Sequence, residues 1–267
     1  MFTRLRLFFC AAVCILSAML ISTNAWPQSR GDGELDKSPP KGMTADDVIR
    51  RFTAKEKEWK QARESYSFRQ SVKVEIFAGN GKNVSGEYRQ VGDISYVGGK
   101  PTKVVVLAPQ PSFILSPNDV NDIETRSSFT ISTDELPEYT LTYVGQQKVD
   151  ELHCYVFDVA PKTIVKDKRY FQGKIWVDDQ DFQIVKNTGK SVPETRIYKK
   201  KKTTEDLFPQ FTTWREQIDG KYWFPTFSSC DDVLHFQRED MRIKEVLKFT
   251  DYKKAGAAAP AKEKPAK

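Results

Sequence analysis

Between Ser67 and Phe77 the residues Phe68, Val72, Val74 and Ile76 alternate with Arg69, Ser71, Lys73 and Glu75. A period of two places one row on a dry face and the other in water, the mark of a half-buried strand. Similar stretches recur at 84–91, 93–97, 102–107, 128–132, 139–146, 152–160, 170–177, 182–188, 208–218, 222–229 and 241–252, most of them separated by turn residues. About a dozen strands with little helix predicts an α+β chain that is mainly β.

One stretch keeps a different period. After Thr44, with Asp46 and Asp47 where a helix dipole favours acids, Val48, Phe52, Trp59 and Ala62 recur at near-helical spacing. This predicts an amphipathic helix of about five turns. A second, shorter helix is expected after Ser116-Pro117-Asn118-Asp119, where a cap residue precedes proline at the first helical position. Phe113, Leu115, Val120 and Ile123 give it an apolar side, so it reads as a lid between strands.

The ends carry the organisation. Arg4 and Arg6 precede an apolar run from Leu7 to Ile21 that finishes in Ser22-Thr23-Asn24-Ala25, the order of a cleaved signal peptide over residues 1–25. A run of roughly 15 residues falls short of a spanning helix. Export to the periplasm is therefore expected. Residues 26–43, rich in Gly, Pro and charge, read as a flexible leader. The folded domain is expected over 44–252, and 253–267, rich in Ala, Pro and Lys, as a disordered tail.

Charge and chemistry exclude several classes. The chain carries a formal +6, of which Arg4 and Arg6 supply two and the tail, five lysines against Glu263, a net four. The folded part is near neutral, which argues against nucleic acid as a partner, while the basic tail suits an anionic envelope surface. No phosphate-binding glycine loop, nucleophile elbow or zinc-spaced Cys/His set occurs. No catalytic residue, metal or cofactor is assigned. Asp231-Asp232-Val233-Leu234-His235, placed in a turn or short helix, is the best remaining place for a hydrolytic or metal site. Asp178, Asp179 and Asp181 belong to a hairpin whose four-residue loop sets Val177 opposite Phe182 and Ile175 opposite Ile184. Cys154 and Cys230 are the two cysteines left after processing, and could pair in an oxidising compartment.

The apolar rows exceed what a thin sheet needs, so either a well-filled core or a greasy cavity under a curved sheet is implied. The order of helix, long strands, mid-chain helix and further strands resembles the LolA-like, outer-membrane lipoprotein-sorting-like family of periplasmic carriers. The likeness rests on Tyr143-Val144-Gly145, Tyr155-Val156-Phe157-Asp158-Val159, Gly173-Lys174-Ile175-Trp176-Val177-Asp178, Phe182-Gln183-Ile184-Val185-Lys186 and Tyr222-Trp223-Phe224-Pro225, and spans Thr44 to Tyr252. It implies an incomplete, half-open antiparallel β-barrel whose concave face is covered by the N-terminal helix and the lid. It also implies a cavity for lipids or lipoprotein acyl chains, with membrane-bound donor and acceptor proteins as partners. On that reading the wall is Phe68, Val72, Val74, Ile76, Phe171, Ile175, Val177, Phe182, Ile184, Ile243, Leu247 and Phe249, and the lid Phe113, Leu115, Val120 and Ile123. The arginine that tethers the lid in family members has no matching position here. Two other classes stay open: an envelope structural or interaction protein with a solid core, and a hydrolase.

Overall fold

Thr44 starts the first helix by a reciprocal bond: its Oγ1 accepts the Asp47 N–H at 3.1 Å, and Asp47 Oδ2 accepts the Thr44 N–H at 3.0 Å. Two otherwise orphaned donors are thereby satisfied, which fixes the start of α1 (Ala45–Ala62). Val48, Phe52, Thr53, Glu56 and Trp59 form its buried stripe. The computed structural model describes residues 32–255 except 79–80, 110, 114, 116, 167, 194–196, 199–200, 203–207 and 236–239. The signal segment 1–25, the leader up to residue 31 and the tail from residue 256 lie outside the described residues. No helix of the described residues is long and apolar enough to cross a membrane.

The strands are β1 (Tyr66–Ala78), β2 (Asn83–Val97), β3 (Lys100–Leu107), β4 (Tyr139–Val149), β5 (Leu152–Pro161), β6 (Tyr170–Asp178), β7 (Ile184–Val192), β8 (Ile197–Tyr198), β9 (Lys201–Lys202), β10 (Phe211–Ile218), β11 (Tyr222–His235) and β12 (Asp240–Lys254), with α2 (Pro117–Thr125) between β3 and β4. Ten of them make one antiparallel sheet in the order β3-β2-β1-β12-β11-β10-β7-β6-β5-β4, and β8 and β9 pair separately. The two edges, β3 and β4, do not pair, so the sheet is an open, barrel-like one, mainly β with two α-helices. Register shifts interrupt β1, β2, β4, β6 and β10 against their neighbours. Each extra residue bends its strand and adds twist, which curves the sheet around α1.

Several sequence expectations change. Asn83–Val97 forms one long strand that runs through Gly92, where the absence of a side chain leaves room for Lys103 of β3 and the bulge opposite is made by Val106. The strand expected at 128–132 is absent: Arg126–Ser128 is a 3-10 turn, and the residues after it cross the sheet without joining it. The segment 231–235 belongs to β11 and is neither turn nor helix, since Asp231 to His235 pair along β12. The 178–181 hairpin has a different register, with Val177 opposite Ile184 and Ile175 opposite Asn187. Phe182 adopts a φ of 52°, the Asp178 N–H bonds the Gln183 carbonyl, and a bulge at Trp176/Val177 absorbs the extra residue. The loop is longer than four residues as a result.

The leader is not free where it is described. Gly33 and Asp36 donate to the carbonyls of Lys148 and Gln146 at 2.8 Å each, Lys186 holds Asp32 at 2.6 Å, and the Tyr143 hydroxyl donates to the Ser38 carbonyl. Gly145 opposite this segment has a φ of 153°, and a Cβ there would lie 2.4 Å from the Asp36 carbonyl oxygen, so only glycine allows the approach. At the other end β12 continues through Lys254, two residues past the expected limit of the domain, and the Ala255 N–H bonds the Ser65 carbonyl.

Candidate functional site

The inner face of the sheet gathers the expected wall and lid. Val72, Val74, Phe171, Ile175, Val177, Ile184, Ile243, Leu247 and Phe249 are buried in one continuous cluster with Val48 and Phe52 of α1. Phe68, Ile76 and Phe182 are half-buried against it. Ile123 is buried in the same cluster, and Phe113, Leu115 and Val120 pack on it, so α2 and the chain before it lie over the sheet. Side chains meet closely: Phe129 stacks on Phe171 with ring centroids 4.1 Å apart, and Phe52 meets Phe157 at 5.8 Å. The interior is packed as a core in this state.

A cleft of about 440 Å³ lies elsewhere. Its side chains, among them Thr140, Thr142, Asp158, Gln172, Lys174 and Thr188, alternate along β4 to β7 with inner-face residues and therefore stand on the outer face. None of the expected wall or lid residues lines it.

Running through the apolar cluster is a set of buried charges that sequence reasoning missed. Glu56 of α1 and Arg215 of β10 pair with both side chains fully buried, Arg215 Nη1 donating to both carboxylate oxygens at 3.0 Å. Glu56 also accepts from Thr130 Oγ1 at 2.6 Å and from the Ile184 N–H at 3.2 Å. Arg215 further donates to the Phe129 carbonyl and lies 4.6 Å from the centre of the Trp59 ring. One residue pair thus ties α1, the start of β7, β10 and the strap 129–130 together.

A second pair fastens α2 to the sheet. Arg126, one residue past α2, forms an ion pair with Glu245 on the inner side of β12, and its guanidinium sits 5.2 Å over the Phe211 ring. Asp122 stands 3.7 Å from Arg126 in the same turn. Burial pushes the Arg126 guanidinium below its ordinary value and the Asp122 carboxyl above its own. At the near edge of α2, Lys103 of β3 bonds Glu124 at 2.6 Å, and Gln70 Nε2 donates to the Glu124 carbonyl. The signal for three of the four charged residues was periodicity: Glu56 follows Phe52 by four on the helix, Arg215 continues Phe211-x-Thr213, and Glu245 sits between Ile243 and Leu247.

The hydrolytic alternative loses its best candidate. Asp231 is held at 2.8 Å by Arg242, which keeps its carboxyl below the ordinary range. Asp232 accepts the Gln210 N–H at 2.8 Å, and His235 Nδ1 meets Asp240 at 2.8 Å. Neighbours on a strand face opposite ways, so the three do not converge. Among the described residues no group of three or more His, Cys, Asp or Glu is placed to hold a metal ion. His153 is exposed on β5.

The disulfide that Cys154 and Cys230 could have formed is not made. Cys154 and Cys230 are free, buried thiols in different clusters, Cys230 on the inner face and Cys154 beside Val156, Trp176 and Val185 on the outer one. Four strand spacings separate β5 from β11, roughly 19 Å at ~4.8 Å each, far beyond disulfide reach. Burial pushes both thiols up, Cys230 to about 12, so neither forms a thiolate readily.

No family model and no curated protein matches this chain. Among solved structures it is similar to an outer-membrane lipoprotein-sorting protein domain from Vibrio parahaemolyticus, at 12% identity and a TM-score of 0.40, over 80% of this chain and 95% of that one. It is similar to a LolA superfamily protein from Nitrosomonas europaea at 14% identity and a TM-score of 0.32, over 79% and 93%. A third likeness is to MucB in complex with MucA(peri), at 11% identity and a TM-score of 0.22, over 80% and 100%. Likeness at this level decides nothing about what this chain binds.

Proposed function

We propose that this chain is a non-catalytic carrier or sensor of the periplasm that shields acyl chains of lipids or lipoproteins on the inner face of its sheet. The observation that carries the reading is the lid: α2 crosses an apolar sheet face and is held there by the buried Arg126–Glu245 pair. Removing one partner of such a pair costs about 3–5 kcal/mol, which is the most that opening α2 would sacrifice there. An acyl chain of roughly 16 carbons recovers ~0.8 kcal/mol per CH₂ removed from water, about 12 kcal/mol in all, so uptake can offset opening.

The test is saturable uptake of a fluorescent fatty acid, with native mass spectrometry of the purified chain for co-purified lipid. Uptake with a single stoichiometry supports the reading. Absence of both uptake and bound lipid sinks it. A second reading is favoured by the tight packing of Phe52, Phe129, Phe157 and Phe171: a solid-core envelope protein whose partners meet its edges. That protein would take up no lipid and would keep its stability in the presence of fatty acid.

A further inference from the structure

The two edges of the sheet are finished differently. Residues 33–36 run along β4 and bond its backbone, whereas among the described residues β3 pairs only with β2. On β3, Val104 is 63% exposed, Val105 46%, Val106 52% and Leu107 45%. Four consecutive wet aliphatic residues on an unpaired edge are a liability for a chain working in water alone. Along this stretch of chain the charge is one-sided, while across the strands Asp93, held by Arg69, lies opposite Val104 and Glu124 bonds Lys103. From Ile94 to Asn118 there are Lys100 and Lys103 and not one Asp or Glu, in a chain with 36 acids among 267 residues.

We propose that the β3 edge docks on the surface of an anionic phospholipid bilayer. Neighbouring strand residues face opposite ways, so Val104 and Val105 are wet on both sides of the sheet. Pairing with another strand would satisfy the edge backbone and leave both apolar faces as exposed as before. An interfacial medium surrounds both. The strand also carries features that hinder strand addition: Pro101 lacks an N–H, Lys100 and Lys103 add charge, and Val106 is the extra residue of a bulge. Shallow insertion of valines with Lys100 among anionic headgroups is the chemistry that fits. The placement is apt, since Lys103 bonds Glu124 of α2 and the docked edge would lie beside the lid.

The experiment is co-flotation of the full chain with vesicles of phosphatidylethanolamine and phosphatidylglycerol, compared with Val104→Glu/Val105→Glu and with Lys100→Glu. These positions are exposed, and an unchanged unfolding temperature verifies the fold of each variant. The wild type is expected to float. The double glutamate variant should bind at least tenfold more weakly, and Lys100→Glu should lose binding mainly on anionic vesicles. Equal flotation of the double variant would place the contact elsewhere and overturn the proposal, as would no flotation of the wild type. A concentration-dependent dimer abolished by the double variant, with flotation unchanged, would assign the edge to a second copy instead. Fatty-acid uptake measured on the same proteins separates this proposal from the carrier reading: docking without uptake keeps the first and removes the second.

Discussion

Glu56 is the residue on which most of the fold converges, for it meets Arg215, Thr130 and the Ile184 backbone at zero exposure. Glu56→Gln keeps the volume and leaves Arg215 buried without its counter-charge. The unfolding free energy in urea is expected to fall by about 3 kcal/mol, with part of it restored by Glu56→Leu combined with Arg215→Met. Asp178 behaves in the opposite sense. Burial, opposed by hydrogen bonds from the Asp181 and Gln180 N–H groups, holds its carboxyl above the ordinary 3.8. A raised acid binds its proton more tightly folded than unfolded, so its contribution is present below pH 3.8 and is lost as pH rises through the folded value. Asp178→Asn should match the wild type in acid and exceed its melting temperature near neutral pH, while Asn Oδ1 still accepts the two turn N–H groups. The apolar half of this interior was legible residue by residue through alternation. The charged half was not, because a Glu or Arg at an inner-face position reads as solvated unless its partner is known, and Glu56 and Arg215 lie 159 positions apart.

Among the elements, α1 and the alternating strands were legible because cap, period and turn residues agree there. The hairpin register and the single long β2 were not. The register depends on a bulge and on one residue with positive φ, which leave no mark in a hydrophobic pattern, and β2 was split at Gly92, which reads as a turn but lies inside the strand. The pinned leader escaped as well, since Gly, Pro and charge read alike in a free segment and in one bonded along an edge. α2 itself places Ile123 in the buried cluster, and Arg126 just after it pairs with Glu245 of β12. Arg126→Met should accelerate backbone amide exchange across 117–131 while β1 and β12 keep their protection. It should also cost about 3 kcal/mol by stranding Glu245, and Arg126→Met with Glu245→Met should recover stability without restoring slow exchange of the lid. Equal acceleration throughout the sheet would mean that α2 does not open on its own.

For the whole molecule the question is whether the inner face is a finished core or one that reopens. The described state is closed and filled, with every expected wall residue in contact with one cluster. A finished core has nothing to gain from an apolar ligand. A carrier does, because a ligand that binds only the folded state stabilises it by RT ln(1 + [L]/Kd), about 2.7 kcal/mol at a hundredfold excess over Kd. For a fold of this size that corresponds to roughly 5–11 °C in melting temperature. The delipidated chain scanned with and without a long-chain fatty acid below its micelle concentration should show such a rise, and a shorter chain a smaller one, since each CH₂ contributes ~0.8 kcal/mol. Chain-length dependence is the discriminating part. Adventitious binding at the exposed β3 valines would leave the melting temperature and its slope with chain length nearly unchanged, because those side chains are about as accessible in the unfolded chain and a ligand that binds both states alike shifts neither.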